Sequence, residues 1–101
     1  MSGKIQLNLK GEIIVETIKR FLDDEGKIKI WPKKKELKIE ILKYLSTKFE
    51  YDKNYVEKEV NVIIEKWHTF NDYFLLRRGM IDYKFLCRTR DGSNYWRNRE
   101  E

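Results

Sequence analysis

The chain has one cysteine, one histidine and one proline in 101 residues, and only five glycines. Each scarcity removes a class of protein. With Cys87 alone, no intramolecular disulfide framework can form, which suits a reducing cytoplasmic setting. Cys87 and His68 are too few to assemble a His/Cys zinc set. A Ser–His–carboxylate site would have to use His68, and no nucleophile motif stands near it. The glycines are scattered, so there is no phosphate-cradling loop. No apolar run approaches the roughly 18 residues of a membrane span, and the Met1 end lacks the apolar core of a signal peptide. The expectation is a cytoplasmic protein that is not an enzyme and needs no metal, cofactor or membrane.

What remains is a globular composition. Hydrophobic residues make up 41% and aromatics 14%, enough for one modest core, so residues 1–101 read as a single domain. The net charge of +5 is compatible with nucleic acid without specifying it. The placement of the cations says more. Arg77, Arg78, Arg88, Arg90, Arg97 and Arg99 are six of the seven arginines and fall in the last quarter, whereas the first half relies on lysine. A guanidinium fork suits phosphate and guanine; the plain alternative is a solvated, arginine-rich surface.

Along the chain, Ile5, Leu7 and Leu9 alternate with polar neighbours, as in an arm or edge strand within residues 1–10. Ile14, Ile18, Phe21 and Leu22 share one stripe of a helix over 12–22. Asp23 to Gly26 end it as an acidic turn. KIKIW, 27–31, reads as a short strand with Ile28 and Ile30 on one face. Pro32 then opens a helix over about 33–48, buried along Leu37, Ile41, Tyr44 and Leu45. Lys33, Lys34 and Lys35 stand at its N-terminus, the unfavourable end for cations, where they are either solvated or placed for a phosphate backbone. The clearest periodicity, Val56, Val60, Ile63, Ile64 and Trp67, marks a helix over 57–66 whose outer face carries Glu57, Glu59 and Glu65.

Thr69 followed by Asp72 resembles a helix start, giving a fourth helix over about 69–80. Its apolar arc holds Phe70, Tyr73, Phe74, Leu76, Met80 and Ile81; Asn71, Asp72, Leu75, Arg78 and Gly79 lie opposite. Arg77 projects into the apolar arc and should be partly buried, paired with Glu57 or Glu59. Arg78 projects outward with Asn71, so these two are the candidate base readers: Asn71 for adenine, Arg78 for guanine. Asp91-Gly92 signals a two-residue hairpin turn that pairs Arg90 with Ser93, Arg88 with Tyr95, Cys87 with Trp96 and Leu86 with Arg97. One face of the hairpin would carry Arg88, Arg90, Tyr95 and Arg97 toward solvent or phosphate. The other, with Phe85, Cys87 and Trp96, would pack on the core.

Two helices, a turn and a hairpin in this order describe an α+β, mostly helical, winged helix-turn-helix: four helices, a wing over 84–97 and the short strand at 27–31. The stretches FLDDEGKIKIWPKK, ILKYLSTKF, YVEKEVN, LLRRGMIDY and DGSNYWR, in this order, resemble the bacterial domain-of-unknown-function 2087 family over residues 21–97. That resemblance implies a winged-helix-like fold and a role in transcription, and it carries over no catalytic or ligand residue. Val56 stands where a Ser or Thr would cap the third helix, and Lys84 where a Gly often follows the Asp-Tyr pair. Two functions are therefore expected. One is binding of duplex DNA through helix 69–80 and the wing, using Asn71, Arg78, Arg88, Arg90, Arg97 and Lys33–Lys35. The other is a protein-interaction module, a homodimer or a regulator's docking domain, using the N-terminal arm and first helix.

Overall fold

The computed structural model describes residues 16–99. Residues 16–18 are helical and tighten into a 3-10 turn at Lys19–Phe21. Three helices follow, α1 at Lys35–Ser46, α2 at Glu57–Lys66 and α3 at Tyr73–Asp82. Two strands, β1 at Leu86–Arg88 and β2 at Tyr95–Arg97, form an antiparallel hairpin. The architecture is α+β. Among the described residues no helix is long and apolar enough to cross a membrane. The expected N-terminal arm lies outside them, as does Ile14 of the first helical stripe; Ile18 and Phe21 of that stripe are buried.

The segment 27–31 is not a strand. Ile28 alone is paired, through single bridges to Leu22 and His68, and Ile30 is 47% exposed. The Asp23 carboxylate accepts from the amides of Glu25 and Lys27, and Gly26 takes φ +83°, so the chain doubles back on itself; the residues before Leu22 form the 3-10 turn and offer no strand to pair with. Ile28 then donates to the Trp67 carbonyl at 2.8 Å and accepts from the Thr69 amide at 2.9 Å.

Helix α1 is shorter than the 33–48 expected. Lys34 is its N-cap, so Pro32 sits two residues before the cap and is buried there. Ile41, Leu42, Tyr44, Leu45 and the following Phe49 are buried. Helix α2 has the bounds its periodicity implied, although Val56 is exposed rather than part of the inner arc. Valine has no acceptor to cap with. Half of a capping box survives because Glu59 Oε1 accepts from the Val56 amide at 2.9 Å.

Helix α3 packs on both earlier helices. Leu76 and Met80 are fully buried, each worth about 1.5–3 kcal/mol of apolar transfer. Gly79, expected on the outward side, faces α1: a Cβ there would come within 3.1 Å of Leu42 Cδ1. The helix runs past Gly79 and stops at Asp82 in a Schellman arrangement, Phe85 donating to the Met80 carbonyl and Lys84 to that of Ile81. This closure needs a left-handed residue, and Lys84 supplies it at φ +65°.

The strand register is as read from the sequence, but the turn is not. The connection is four residues, 90–93, with Thr89 donating to and accepting from the backbone of its neighbours. Gly92 donates to the Thr89 carbonyl, and Thr89 donates from its amide to Asn94. The Asp91 carboxylate holds the loop by accepting from the Ser93 amide and the Thr89 hydroxyl. The faces of the hairpin match expectation in part: Phe85 is buried and Arg88 and Arg90 are exposed. Leu86 and Tyr95 are buried, whereas Cys87 and Trp96 are only half-buried. Tyr55 exchanges both backbone hydrogen bonds with Tyr95, at 2.8 and 2.7 Å, and so pairs the edge of β2 away from β1 with the chain before α2.

Two expected outcomes follow from these turns. Lys84→Gly should raise stability by about 1 kcal/mol in denaturant melts, because glycine removes the left-handed strain of a side chain. Hydrogen bonds from Ser93 and then Thr89 hold the Asp91 carboxyl below the usual carboxylate range. A depressed folded-state value stabilises above the ordinary carboxylate range, and that stability is lost as pH falls through the folded value. Asp91→Asn should therefore be less stable than the native chain near neutrality. The gap between the two melting curves should close at acid pH.

Candidate nucleic-acid interface

The candidate reading helix begins four residues later than its sequence suggested. Asp72, not Thr69, is the N-cap, its Oδ1 accepting from the Leu75 amide at 3.2 Å. His68 explains the delay. Its ring is buried, Nδ1 lies 2.7 Å from the Ile64 carbonyl, and Nε2 accepts from the Asp72 amide at 2.8 Å. A carbonyl can only accept and an amide only donate, so the ring carries its proton on Nδ1. Asn71 reverses the chain at φ +56°, a conformation asparagine tolerates. It is exposed, but it stands in the turn ahead of α3 and not on the outer face of the helix beside Arg78.

The two adjacent arginines separate as expected. The Arg77 side chain is 14% exposed and its Nη1 lies 3.2 Å from Glu57 Oε2 and donates to Asn61 Oδ1 at 2.6 Å. The Arg78 side chain is 69% exposed, with only a 3.8 Å approach of its Nε to Asp82, one turn on. An exposed pair at that distance contributes little and exchanges readily for another anion.

Arg78 and Arg88 line one cleft of about 400 Å³ together with Glu57, Phe74, Arg77, Ile81, Asp82 and Tyr95. The cleft therefore lies between α2, α3 and the hairpin. Arg90 is exposed at the hairpin tip. Lys33, Lys34 and Lys35 are exposed at the start of α1, and the Lys35 Nζ lies 6.0 Å from the centre of the Tyr83 ring, just beyond the end of α3.

Arg97 does not join them. Its guanidinium lies 3.9 Å from the centre of the Tyr51 ring and donates to the Phe49 carbonyl at 3.2 Å. It is a packing residue, anchoring the open end of the hairpin to the chain after α1. Arg99 shares the Tyr51 ring and forms a two-pronged pair with Asp52, at 2.7 and 3.3 Å. The acidic outer face of α2 is also less free than its sequence implied, because Glu57 serves Arg77 and Glu59 serves the Val56 amide.

One candidate was missed. Phe74, placed in the apolar arc, is 55% exposed at the mouth of the cleft. The signal lay in Gly79. A helix packing through glycine turns its buried side toward that glycine, and glycine adds nothing to an apolar count. Among the described residues, no three His, Cys, Asp or Glu side chains converge to hold a metal ion.

The fold and the cleft define a small α+β domain in which a helix pair and a hairpin present arginine to one side. A family model described as an uncharacterized protein conserved in bacteria, domain of unknown function 2087, matches residues 27–97. The chain belongs to that family. Searches of curated proteins and of solved structures returned no match.

The two arginines give an internal control. Arg77→Ala should cost about 1–3 kcal/mol, because it leaves Asn61 and Glu57 without their partner. Arg78→Ala should stay within about 0.5 kcal/mol of the native chain. Paired urea melts measure both; equal losses would mean that the outward face of α3 has been misplaced.

Proposed function

We propose that the chain binds duplex DNA as a winged helix, with α3 in the major groove and the β1–β2 hairpin as the wing. The element order supports this reading. Helix α1, the bridging residue Tyr55, α2, α3 and the hairpin follow one another, and Tyr55 pairs with β2 as a first strand would. The observation that carries the reading is the meeting of Arg78, from α3, and Arg88, from the hairpin, in one cleft. A helix that reads base edges and a wing that follows a phosphate strand need cations at that junction. Arg90 and Lys33–Lys35 extend the cationic surface, and a role in transcription fits such a module. Asn71 belongs to this reading only as a turn residue near the start of α3, and Arg97 drops out of it.

Anisotropy titrations with mixed-sequence duplex DNA test the proposal. Affinity should fall as salt rises, because neutralised phosphates release counterions. Replacing Arg88 by Ala should weaken binding to all sequences and reduce the salt slope by about 1. Absence of binding at micromolar protein and low salt would overturn the proposal.

A further inference from the structure

Phe74 is a large apolar side chain left 55% exposed on the helix proposed to enter the groove. It is the second residue of α3, after Tyr73, and one turn before Arg78. Residues four apart share a helix face, so Phe74 and Arg78 point the same way. Both line the cleft that also holds Arg88. The ring is not adrift in solvent. The Arg77 guanidinium lies 5.4 Å from its centre, and Arg77 is itself fixed by Asn61 and Glu57. The protein therefore presents an apolar ring beside an exposed guanidinium.

Recognition helices contact base edges mainly through residues of their first turns. In the major groove the only apolar feature of a base edge is the C5-methyl group of thymine. From this match, and resting on the DNA-binding reading above, we infer that Phe74 is a specificity-determining residue that packs on a thymine methyl. Arg78, one turn later, takes a neighbouring guanine or phosphate. The cations around the ring bring the duplex in without regard to sequence, and the ring selects among the sequences offered. Arg78 is free to take its part, because its present partner Asp82 stands 3.8 Å away at the protein surface.

The test compares mixed-sequence duplexes synthesised with thymine or with uracil throughout, which differ only by that methyl. The native chain should bind the uracil duplex roughly fourfold more weakly, the factor expected for one methyl group withheld from an apolar contact. Phe74→Ala should bind the thymine duplex about as weakly as the native chain binds uracil, and should not distinguish the two. Phe74→Leu should keep part of the preference. Phe74 is exposed, so these variants should melt with the native chain, and a melt of each confirms it. Equal affinity of the native chain for both duplexes, with the salt dependence intact, would overturn this inference and leave the DNA-binding reading standing. A preference for thymine that survives in Phe74→Ala would also overturn it, since the methyl is then read elsewhere. If Phe74→Ala weakens binding while the native chain ignores the methyl, the ring acts as a wedge between base steps, and the inference again fails. No binding of either duplex at low salt would remove both readings.

Discussion

The orientation of the helix pair depends on one imidazole. His68 stands where α2 has ended and α3 has not begun, and it satisfies a backbone group on each side: the Ile64 carbonyl at 2.7 Å and the Asp72 amide at 2.8 Å. The Asp72 amide thereby gains an acceptor at the start of α3, and the Ile64 carbonyl, which also accepts from the Trp67 amide, gains a second partner. The backbone of the same residue bridges Ile28, so the acidic turn at 23–26 is fixed to the junction as well. Phe70 closes against the ring edge, 4.8 Å away. With Asp72 thus held, its carboxylate caps α3 at one defined residue.

Much of this was legible in the residues. Helix α2 has an unbroken apolar stripe, and its bounds could be read from it. The separation of Arg77 from Arg78 needed only the 3.6-residue turn, and it survives a later helix start because both lie well inside α3. The start of α3 was not legible, because Thr69 and Asp72 are both good caps on paper. The choice between them is made by His68 and by the left-handed turn at Asn71. The apolar arc also misled at Phe74. Helix α3 meets α1 through Gly79 against Leu42, and a contact made by a missing side chain leaves no mark on a hydrophobic pattern.

The hairpin shows the same limit at longer range. Its register follows from local pairing, and Asp91-Gly92 gave it correctly even though the loop is four residues and not two. Which face turns inward is another matter. Leu86 and Tyr95 enter the core and Arg97 packs on Tyr51, contacts made with residues far away in sequence. An arginine on a strand reads as solvent-facing or ligand-facing until an aromatic partner is known, and Tyr51 lies in a polar connection with no periodicity to draw attention to it. Lys84 is the converse case. Its departure from the glycine that often follows the Asp-Tyr pair marks a helix end where a side chain takes the left-handed conformation, at φ +65°.

The Tyr55–Tyr95 bridge has a kinetic meaning as well. Helices α2 and α3 and the hairpin are each made from residues close in sequence, whereas the bridge closes a ring of some forty residues. The entropy of that closure must be met before the two hydrogen bonds of the bridge return anything, which slows such contacts relative to local ones. The helix pair can thus assemble ahead of the ring, with the hairpin docking afterwards.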